Sequence, residues 1–581
     1  MKYAYLFEAR GIQRFLFATG KLKDMLEGSE LIDYLCADNG LVDEVLDSLG
    51  LTDKVTSPRK AGGAFYLVFD EQMQARRFQR AWRLIMSQWL PTLEIVDVIS
   101  KAETAKNAVS YGINELAKER NRINVKLPSA SPITERSPRT GNAAVTRDVY
   151  GKGGVESLDT ATSILRNFKR PKESQSLTSR FLGRPSGYDV QNLHFPNNFE
   201  SNSKEAKRFP LGKRGLVGLI HADGNGLGEI LRLLNEACQD ASDEVYIDLY
   251  RTFSEGMTQA TIAAANEATQ KILLPQVNDK GVVPARPLVL GGDDLSVIVK
   301  ADIAIAFTEA FLESFKDSSK DELAKLKQKF IDNGLNQSAQ KLPAYLTACA
   351  GIVFMKSSQP FYQAYEVAEG LCKQAKMYSR QYKQVTDDSS SPVIPSSLAF
   401  YKITDSLIEE VDMMIETSMS VSTHQAIYHL SVPAYMVDEI DGNDTKVPSL
   451  RQLEQLNSIL SDSRINARPL RQLATLMHLN LDQATQVYKR WLQYSKRSTE
   501  QLQKVSKAEQ KEVKQINLFL NTLEQVIGQL EKDLPVTRVK STDAVTPEYQ
   551  SVIGDLLTLM VVAEETTFEN TQSSSLNKEG A

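Results

Sequence analysis

Apolar positions in this chain gather into short continuous runs in some stretches and recur with helical period in others, and the order of those stretches repeats. Residues 3–8 read as a short strand, Ile12 to Leu35 as a helical pattern interrupted at Gly20 and Gly28, and Leu41–Leu51 as a second helical pattern. Gly62-Gly63 then leads into Ala64-Phe65-Tyr66-Leu67-Val68-Phe69, a turn feeding a strand. Helical periodicity returns over 71–90, and Leu93–Ile99 is a further predicted strand. A second unit opens with the apolar strand 215–223 and continues with helices over 226–239 and 245–271. Two strands around Gly291-Gly292-Asp293-Asp294 follow, then a helix (301–315), a charged helical connection (318–331), a strand (344–355) and a helix (360–380). The order β-α-β-β-α-β is that of a split βαβ, ferredoxin-like sheet of the palm type. The plan shared by the two units, with a Gly-Gly hairpin in each, reads as an internal repeat.

Between the units the pattern is lost. From about 121 to 213 Pro, Gly, Ser, Asn and Arg dominate, as in Arg136-Ser137-Pro138-Arg139-Thr140-Gly141, and so many turn-formers predict an irregular insert. After about 445 the periodicity is helical throughout, with long amphipathic stretches at 483–533 and 548–564. The expected fold class is α+β: two ferredoxin-like palm domains (1–105 and 214–405), an irregular basic insert between them (106–213), a helical C-terminal domain (406–565) and a disordered tail (566–581).

Composition changes this picture in one respect. The 581 residues carry 68 Lys and Arg against 73 Asp and Glu, a net charge of −5 with 42% hydrophobic residues, which excludes a largely disordered chain. No apolar run approaches the ~18 residues of a membrane span. The start lacks the layout of a signal peptide, and four scattered cysteines are too few for a disulfide framework, so a reduced, cytoplasmic protein is expected. The charge is uneven, however. Residues 101–215 hold 21 Lys and Arg against 11 Asp and Glu, a local excess of +10, with Arg166, Lys169, Arg170 and Lys172 the densest cluster. A basic middle in an acidic chain points to a polyanion such as RNA, or to a solvated loop region.

The candidate chemistry gathers at the second Gly-Gly hairpin. Adjacent carboxylates at a hairpin tip, Asp293 and Asp294, repel each other unless a divalent cation such as Mg²⁺ offsets their charge. Gly291 and Gly292 allow tight geometry and leave room for a nucleotide. Asp223, at the end of the first strand of the same unit, can converge with them on one or two metal ions; its alternative role is a helix N-cap. Backbone N–H groups from Gly224, Asn225 and Gly226 to Gly228 would face a triphosphate at the following helix start. Lys373, Lys376 and Arg380 share a helix face that could hold phosphates, Lys376 best placed among them. His221 shares a strand face with Asp223, leaving a supporting role open; His194, His424, His429 and His478 fit no acid–base or zinc spacing, and Phe361-Tyr362 reads as core.

These residues bring a family into view. The chain resembles the large polymerase/cyclase subunit of type III CRISPR effector complexes through Phe7-Glu8-Ala9-Arg10-Gly11-Ile12-Gln13-Arg14-Phe15, Leu26-Glu27-Gly28-Ser29-Glu30-Leu31 and Gly62-Gly63-Ala64-Phe65. The likeness continues through Asp223-Gly224-Asn225-Gly226-Leu227-Gly228, Gly291-Gly292-Asp293-Asp294 and Glu366 to Lys376, covering most of 1–405 and loosely the rest. It implies two palms of which the second is catalytic, joining ATP through 3′–5′ bonds into cyclic oligoadenylates when target RNA is bound. Asp223, Asp293 and Asp294 would hold Mg²⁺ or Mn²⁺, and Gly28 and Ser29 would help hold a second ATP. Ala64 and Phe65 stand where the first palm's carboxylates would be, so that palm should bind without catalysing. Relatives often begin with a histidine–aspartate nuclease domain and carry a cysteine-based zinc motif between the palms. This chain opens on the first palm, has no His-Asp dipeptide and no cysteine in 132–141, so DNA cleavage is not expected.

The expected function is therefore a metal-dependent nucleotidyl cyclase in antiviral defence, within a CRISPR complex beside other effector subunits and RNA, or standing alone. A diguanylate-type cyclase is a rival, but Asp294 is followed by Leu295 where that signature has Glu-Phe. A catalytically silent scaffold gripping RNA is another.

Overall fold

The computed structural model describes residues 1–122, 131–150, 154–171, 175–199, 208–385, 392–404, 411–438, 440, 447–462, 467–495, 506–539 and 546–563. Lys172 and the tail 566–581, both named above, lie outside them. The first sheet is built from β1 (Lys2–Arg10), β2 (Val55–Ala61), β3 (Ala64–Phe69) and β4 (Glu94–Ala102) in the order β2-β3-β1-β4, every neighbour antiparallel. Helices α1 (Ile12–Leu16), α2 (Leu22–Cys36) and α3 (Leu41–Ser48) connect β1 to β2, α4 (Gln72–Trp89) connects β3 to β4, and α5 (Ala105–Glu119) follows. Alternation decides the layers. Tyr5, Phe7, Phe65, Leu67 and Phe69 face Phe78 and Trp82 of α4, with the Phe65 and Trp82 rings edge-on at 5.0 Å. Ala4, Leu6, Tyr66 and Val68 on the opposite face meet α5.

Two expectations are corrected in this unit. Gly20, at φ 66°, separates α1 from α2, but Gly28 interrupts nothing and lies inside α2. Its missing side chain lets the helix approach Leu16, whose Cδ2 would be 3.0 Å from a Cβ there. Helix α5, placed in the insert by its position after residue 105, packs on β1 and β4 of the first sheet.

The insert is more ordered than its composition predicts, with a hairpin of β5 (Ala144–Tyr150) and β6 (Gly154–Asp159) and helices α6 (Thr160–Asn167) and α7 (Leu177–Leu182). Its arginines are largely spent internally. Arg166, 7% exposed, forks onto Asp24 of α2 (2.7 Å and 3.0 Å) and also meets Asp148 and Glu156. Arg170 reaches Glu30 and Asp33 at 2.9 Å and 2.7 Å, and Arg180 also bonds Asp33. Asp24, Glu27, Glu30 and Asp33 follow one another every third residue along α2, and Arg286 of the second sheet faces Glu27 and Glu30. Part of the basic excess is thus held in ion pairs with α2 and within the insert, while Lys169 and Arg184 are exposed.

The second sheet repeats the first with β7 (Leu216–Gly224), β8 (Ala285–Gly291), β9 (Asp294–Lys300) and β10 (Ala348–Lys356) in the order β10-β7-β9-β8. Two edge strands extend it: Ser397–Lys402 runs parallel to β10, and Tyr435–Met436 pairs antiparallel with that strand. Helices α8 (Leu227–Ala237) and α9 (Asp243–Ala268) link β7 to β8, and α10 (Ala304–Asp332) and α11 (Asn336–Ala339) lead to β10. The two helices expected between 301 and 331 are therefore one helix of 29 residues. The polar Lys316–Ser319 stretch does not break it, because Ser319 is buried, donates to the Lys316 carbonyl and accepts from Leu346 N–H. Helix α12 (Phe361–Ser379) packs on β10 so tightly that a Cβ at Gly351 would sit 2.0 Å from the Ala368 carbonyl oxygen. Phe361 is buried as expected, while Tyr362 is exposed.

The C-terminal part is helical over Leu450–Asp462, Ala467–Leu479, Leu481–Ser495, Lys507–Ile527 and Ile553–Ala563. It also holds a four-stranded sheet that periodicity did not predict, in which Glu548–Gln550 pairs with Ile427–His429 and Thr537–Arg538. Among the described residues no helix is long and apolar enough to cross a membrane.

Candidate functional site

The site sits where β7 ends beside the β8–β9 hairpin. Register puts Asp223 directly opposite Asp294, and Gly292-Asp293 form the two-residue turn between Gly291 and Asp294. Gly292 has φ 64°, so the first central position of this turn asks for glycine. Thr261 of α9 donates to the Gly292 carbonyl at 2.7 Å and holds the tip. Gly224 is needed for a different reason: a Cβ there would meet the Asp293 Cβ at 2.9 Å, so its absence lets the strand end and the hairpin close together. As a result one oxygen each from Asp223, Asp293 and Asp294 lies within 4.8 Å of the others. Helix α8 is capped by Gly226, at φ 82°, so Asp223 is not the N-cap.

Bringing these carboxylates together costs free energy. Burial, together with the Asp223 carboxylate, pushes Asp293 up to about 6. Burial and the charges of Asp293 and Asp223 push Asp294 well above the carboxylate range. Three hard oxygen donors in repulsion fit a divalent cation, which would relieve them. The pH dependence follows. Asp293 is protonated in the folded state below about 6 and favours folding there. That stability is lost as pH rises from the unfolded carboxylate value through about 6, where cation binding becomes able to replace the proton. We predict that the rise in melting temperature caused by Mn²⁺ is small at pH 5 and several-fold larger at pH 7.5, as read by differential scanning calorimetry. A rise independent of pH contradicts this.

Lys376 reaches the triad from α12. Its Nζ donates to Asp223 Oδ2 and, at 2.7 Å, to the Gly224 carbonyl. Two cavities each take one of the hairpin carboxylates into their walls. A mostly basic cleft of about 530 Å³ is lined by Gly224, Gly226, Leu227 and Gly228 at the start of α8, by Asp293 and Glu229, and by Lys376, Arg380 and Lys383, the last at 3.5 Å from Glu229. A larger cavity of about 980 Å³ lies between the palms, lined by Ser29, Gly62 and Gly63 of the first, Gly291, Asp294 and Tyr365 of the second, and Arg180 and Arg184 of the insert. In the first hairpin Gly62 and Gly63 both have positive φ, at 61° and 72°, and a Cβ added to Gly291 would lie 4.0 Å from the Gly62 nitrogen. The two Gly-Gly tips therefore lie close together in the wall of this cavity.

Other candidates fall differently. Asn225 points away from the clefts' polar rim: its amide donates to Thr347 Oγ1 at 3.0 Å and Cys349 Sγ at 3.3 Å, tying β7 to β10. Gly28 is packed against Phe15, Leu16 and Leu165 and does not line the cavity, whereas Ser29 does line it, with its hydroxyl committed to the Leu288 carbonyl. Lys373 is exposed and lines neither cavity; Arg380 lines the basic cleft. His221 is no ligand, since its Nδ1 shares hydrogen bonds with Ser296 Oγ (3.1 Å) and Tyr365 Oη (3.2 Å), and burial holds it down at about 4. Sequence reasoning missed Lys383, although it continues the basic series Lys373, Lys376 and Arg380 at a spacing of three. It also missed Thr261, Arg180 and Arg184, which no local pattern marks.

Residues 216–384 match the family model described as Cas10/Cmr2, second palm domain. No curated protein matches the chain. Among solved structures it is similar to a Csm1–Csm4 cassette in complex with pppApA, at 11% identity and TM-score 0.44 over 97% of this chain and 69% of that one. It is also similar to the cassette in complex with AMPPNP (14%, TM-score 0.35, 65% of this chain and 53% of that one). Csm1 in T. onnurineus matches at 16% and TM-score 0.33, over 65% of this chain and 51% of that one. The chain spans about half the length of these last two. The region that carries the three carboxylates, the glycine-rich strand end and Lys376 thus lies within residues 216–384, which are similar to the second palm domain of Cas10/Cmr2.

Proposed function

We propose that the second palm is a nucleotidyltransferase that joins ATP through 3′–5′ bonds into cyclic oligonucleotide messengers. The observation that carries this reading is the clustering of Asp223, Asp293 and Asp294, with Asp293 lining the basic cleft and Asp294 lining the cavity between the palms. In this reading the basic cleft takes the triphosphate of the nucleotide under attack. The N–H groups at the start of α8 and the cations of Lys376, Arg380 and Lys383 hold its charge. The interpalm cavity holds the second nucleotide with its 3′-hydroxyl toward the carboxylates. A divalent ion, Mg²⁺ or Mn²⁺, bound by the three carboxylates supplies charge neutralisation at the reacting phosphate. The 3′-oxygen bonds to the α-phosphorus as its proton passes to solvent water, the bond to pyrophosphate breaks, and pyrophosphate departs on the basic side. The chain's share is positioning and electrostatics, since His221 is occupied by Ser296 and Tyr365 and offers no base.

Adenine as the base, target RNA as the trigger, companion effector subunits and a role in antiviral defence belong to the same proposal, supported by the Cas10/Cmr2 second palm and the motif likeness. Equilibrium binding of a non-hydrolysable ATP analogue with Mn²⁺ tests the two-cavity reading. It should saturate at two nucleotides per chain; a single site, or none, would overturn it.

A further inference from the structure

Among the described residues Lys376 is the one cation paired with any of the three carboxylates, through Asp223, and its position bears on how the site is loaded. This rests on the metal-dependent reading above and extends it to regulation of the same site. We infer that Lys376 is a resident counter-ion, holding Asp223 while the site is empty of metal and releasing it when a triphosphate enters the basic cleft.

The geometry supports this in three ways. First, the ammonium is bound on the carboxylate side: it donates to Asp223 Oδ2 and to the Gly224 carbonyl, which uses two of its three N–H groups. Second, the same side chain lines the basic cleft together with Arg380 and Lys383, so a triphosphate held there would border it. A lysine's four-carbon stem permits such an exchange of partners, where a planar arginine fork would not. Third, the helix beneath is fixed. Helix α12 meets β10 at Gly351 with no room for a Cβ, and Ala364, Ala368, Cys372 and Ala375 are buried against the sheet. Only the side chain has two places to be.

A positive charge seated on Asp223 opposes a divalent cation arriving at the same carboxylate. Metal alone must displace it; a triphosphate that draws Lys376 away removes that opposition, so nucleotide binding favours metal binding and the reverse. Removing the charge should therefore tighten metal binding while weakening the grip on triphosphate. A merely structural role for Lys376 predicts that both weaken.

The test uses the full chain and Mn²⁺ alone, titrated at pH 7.5 and followed by electron paramagnetic resonance of free Mn²⁺. Lys376→Met should bind Mn²⁺ at least about tenfold more tightly than wild type, the scale of coupling between neighbouring charges. The same variant should bind a non-hydrolysable ATP analogue more weakly. Arg380→Met, which removes a cation from the same cleft but none from the carboxylates, should leave Mn²⁺ affinity within about twofold. Lys376→Gln guards against a packing effect of the Met side chain and should behave alike. Unchanged or weaker Mn²⁺ binding in both Lys376 variants, or equal tightening in Arg380→Met, would overturn the inference while leaving the metal site standing. No Mn²⁺ binding by wild type or either variant would overturn the underlying reading as well.

Discussion

The double variant Asp293→Asn/Asp294→Asn is expected to lose nucleotidyl transfer by at least about a thousandfold, roughly 4 kcal/mol of transition-state stabilisation, and yet to melt later than wild type in EDTA. Both halves follow from the same geometry. The three carboxylates lie within 4.8 Å of one another, and burial with mutual repulsion raises Asp293 to about 6 and Asp294 well above its ordinary range. At neutral pH without a cation the folded chain therefore carries a charge arrangement it would rather not ionise, and the amides remove it. They keep the size of the side chains and the turn at Gly292, so the hairpin should persist. Activity measured as pyrophosphate release and stability measured by calorimetry should move in opposite directions. If the variant is less stable than wild type in EDTA, the repulsion described here is offset by contacts that the amides lose.

The second large effect concerns the insert. Arg166→Met should destabilise the chain by about 3–5 kcal/mol, the usual consequence of stripping the partner from a buried charge. Arg166 is 7% exposed, and it leaves behind Asp24 at 1% and Glu156 at 5%. Glu156 keeps Lys21 and Arg139, but Asp24 of α2 loses its fork of two hydrogen bonds. The paired change Asp24→Asn/Arg166→Met should recover most of the loss, because no unpaired charge remains. Hydrogen exchange over α2, the β5–β6 hairpin and α6 localises the effect; uniform exchange in Arg166→Met and wild type would contradict it.

How much of this was legible in the sequence varies by kind of interaction. The palms could be read because their signal is local: the continuous apolar runs of β1, β3 and β7, and Gly-Gly pairs at both turns. The convergence of Asp223 on the hairpin also followed, since the order of a split βαβ sheet makes the first and third strands neighbours. What escaped was carried by distant partners. Arg166 finds Asp24 and Lys376 finds Asp223 across 142 and 153 residues, and neither arginine nor lysine announces from its neighbours whether it will be paired or free. The basic insert consequently read as a polyanion surface or a solvated loop, with no sign that Arg166, Arg170 and Arg180 face the carboxylate ladder of α2. Gly28 read as a break because an interior glycine usually weakens a helix, while here close packing on Leu16 uses its bareness. The strand Glu548–Gln550 exists only because Ile427–His429 offers it an edge.

The measurement that bears most directly on the central claim is mass spectrometry of the products formed from each nucleoside triphosphate with Mg²⁺ or Mn²⁺. It is made on wild type beside Asp293→Asn/Asp294→Asn. The account predicts a 3′–5′ linked cyclic oligonucleotide from ATP in wild type alone, with pyrophosphate released. The same product from both proteins would contradict it by taking the chemistry away from the three carboxylates; binding of triphosphate by both with no product from either would leave a palm that holds nucleotides and does not join them.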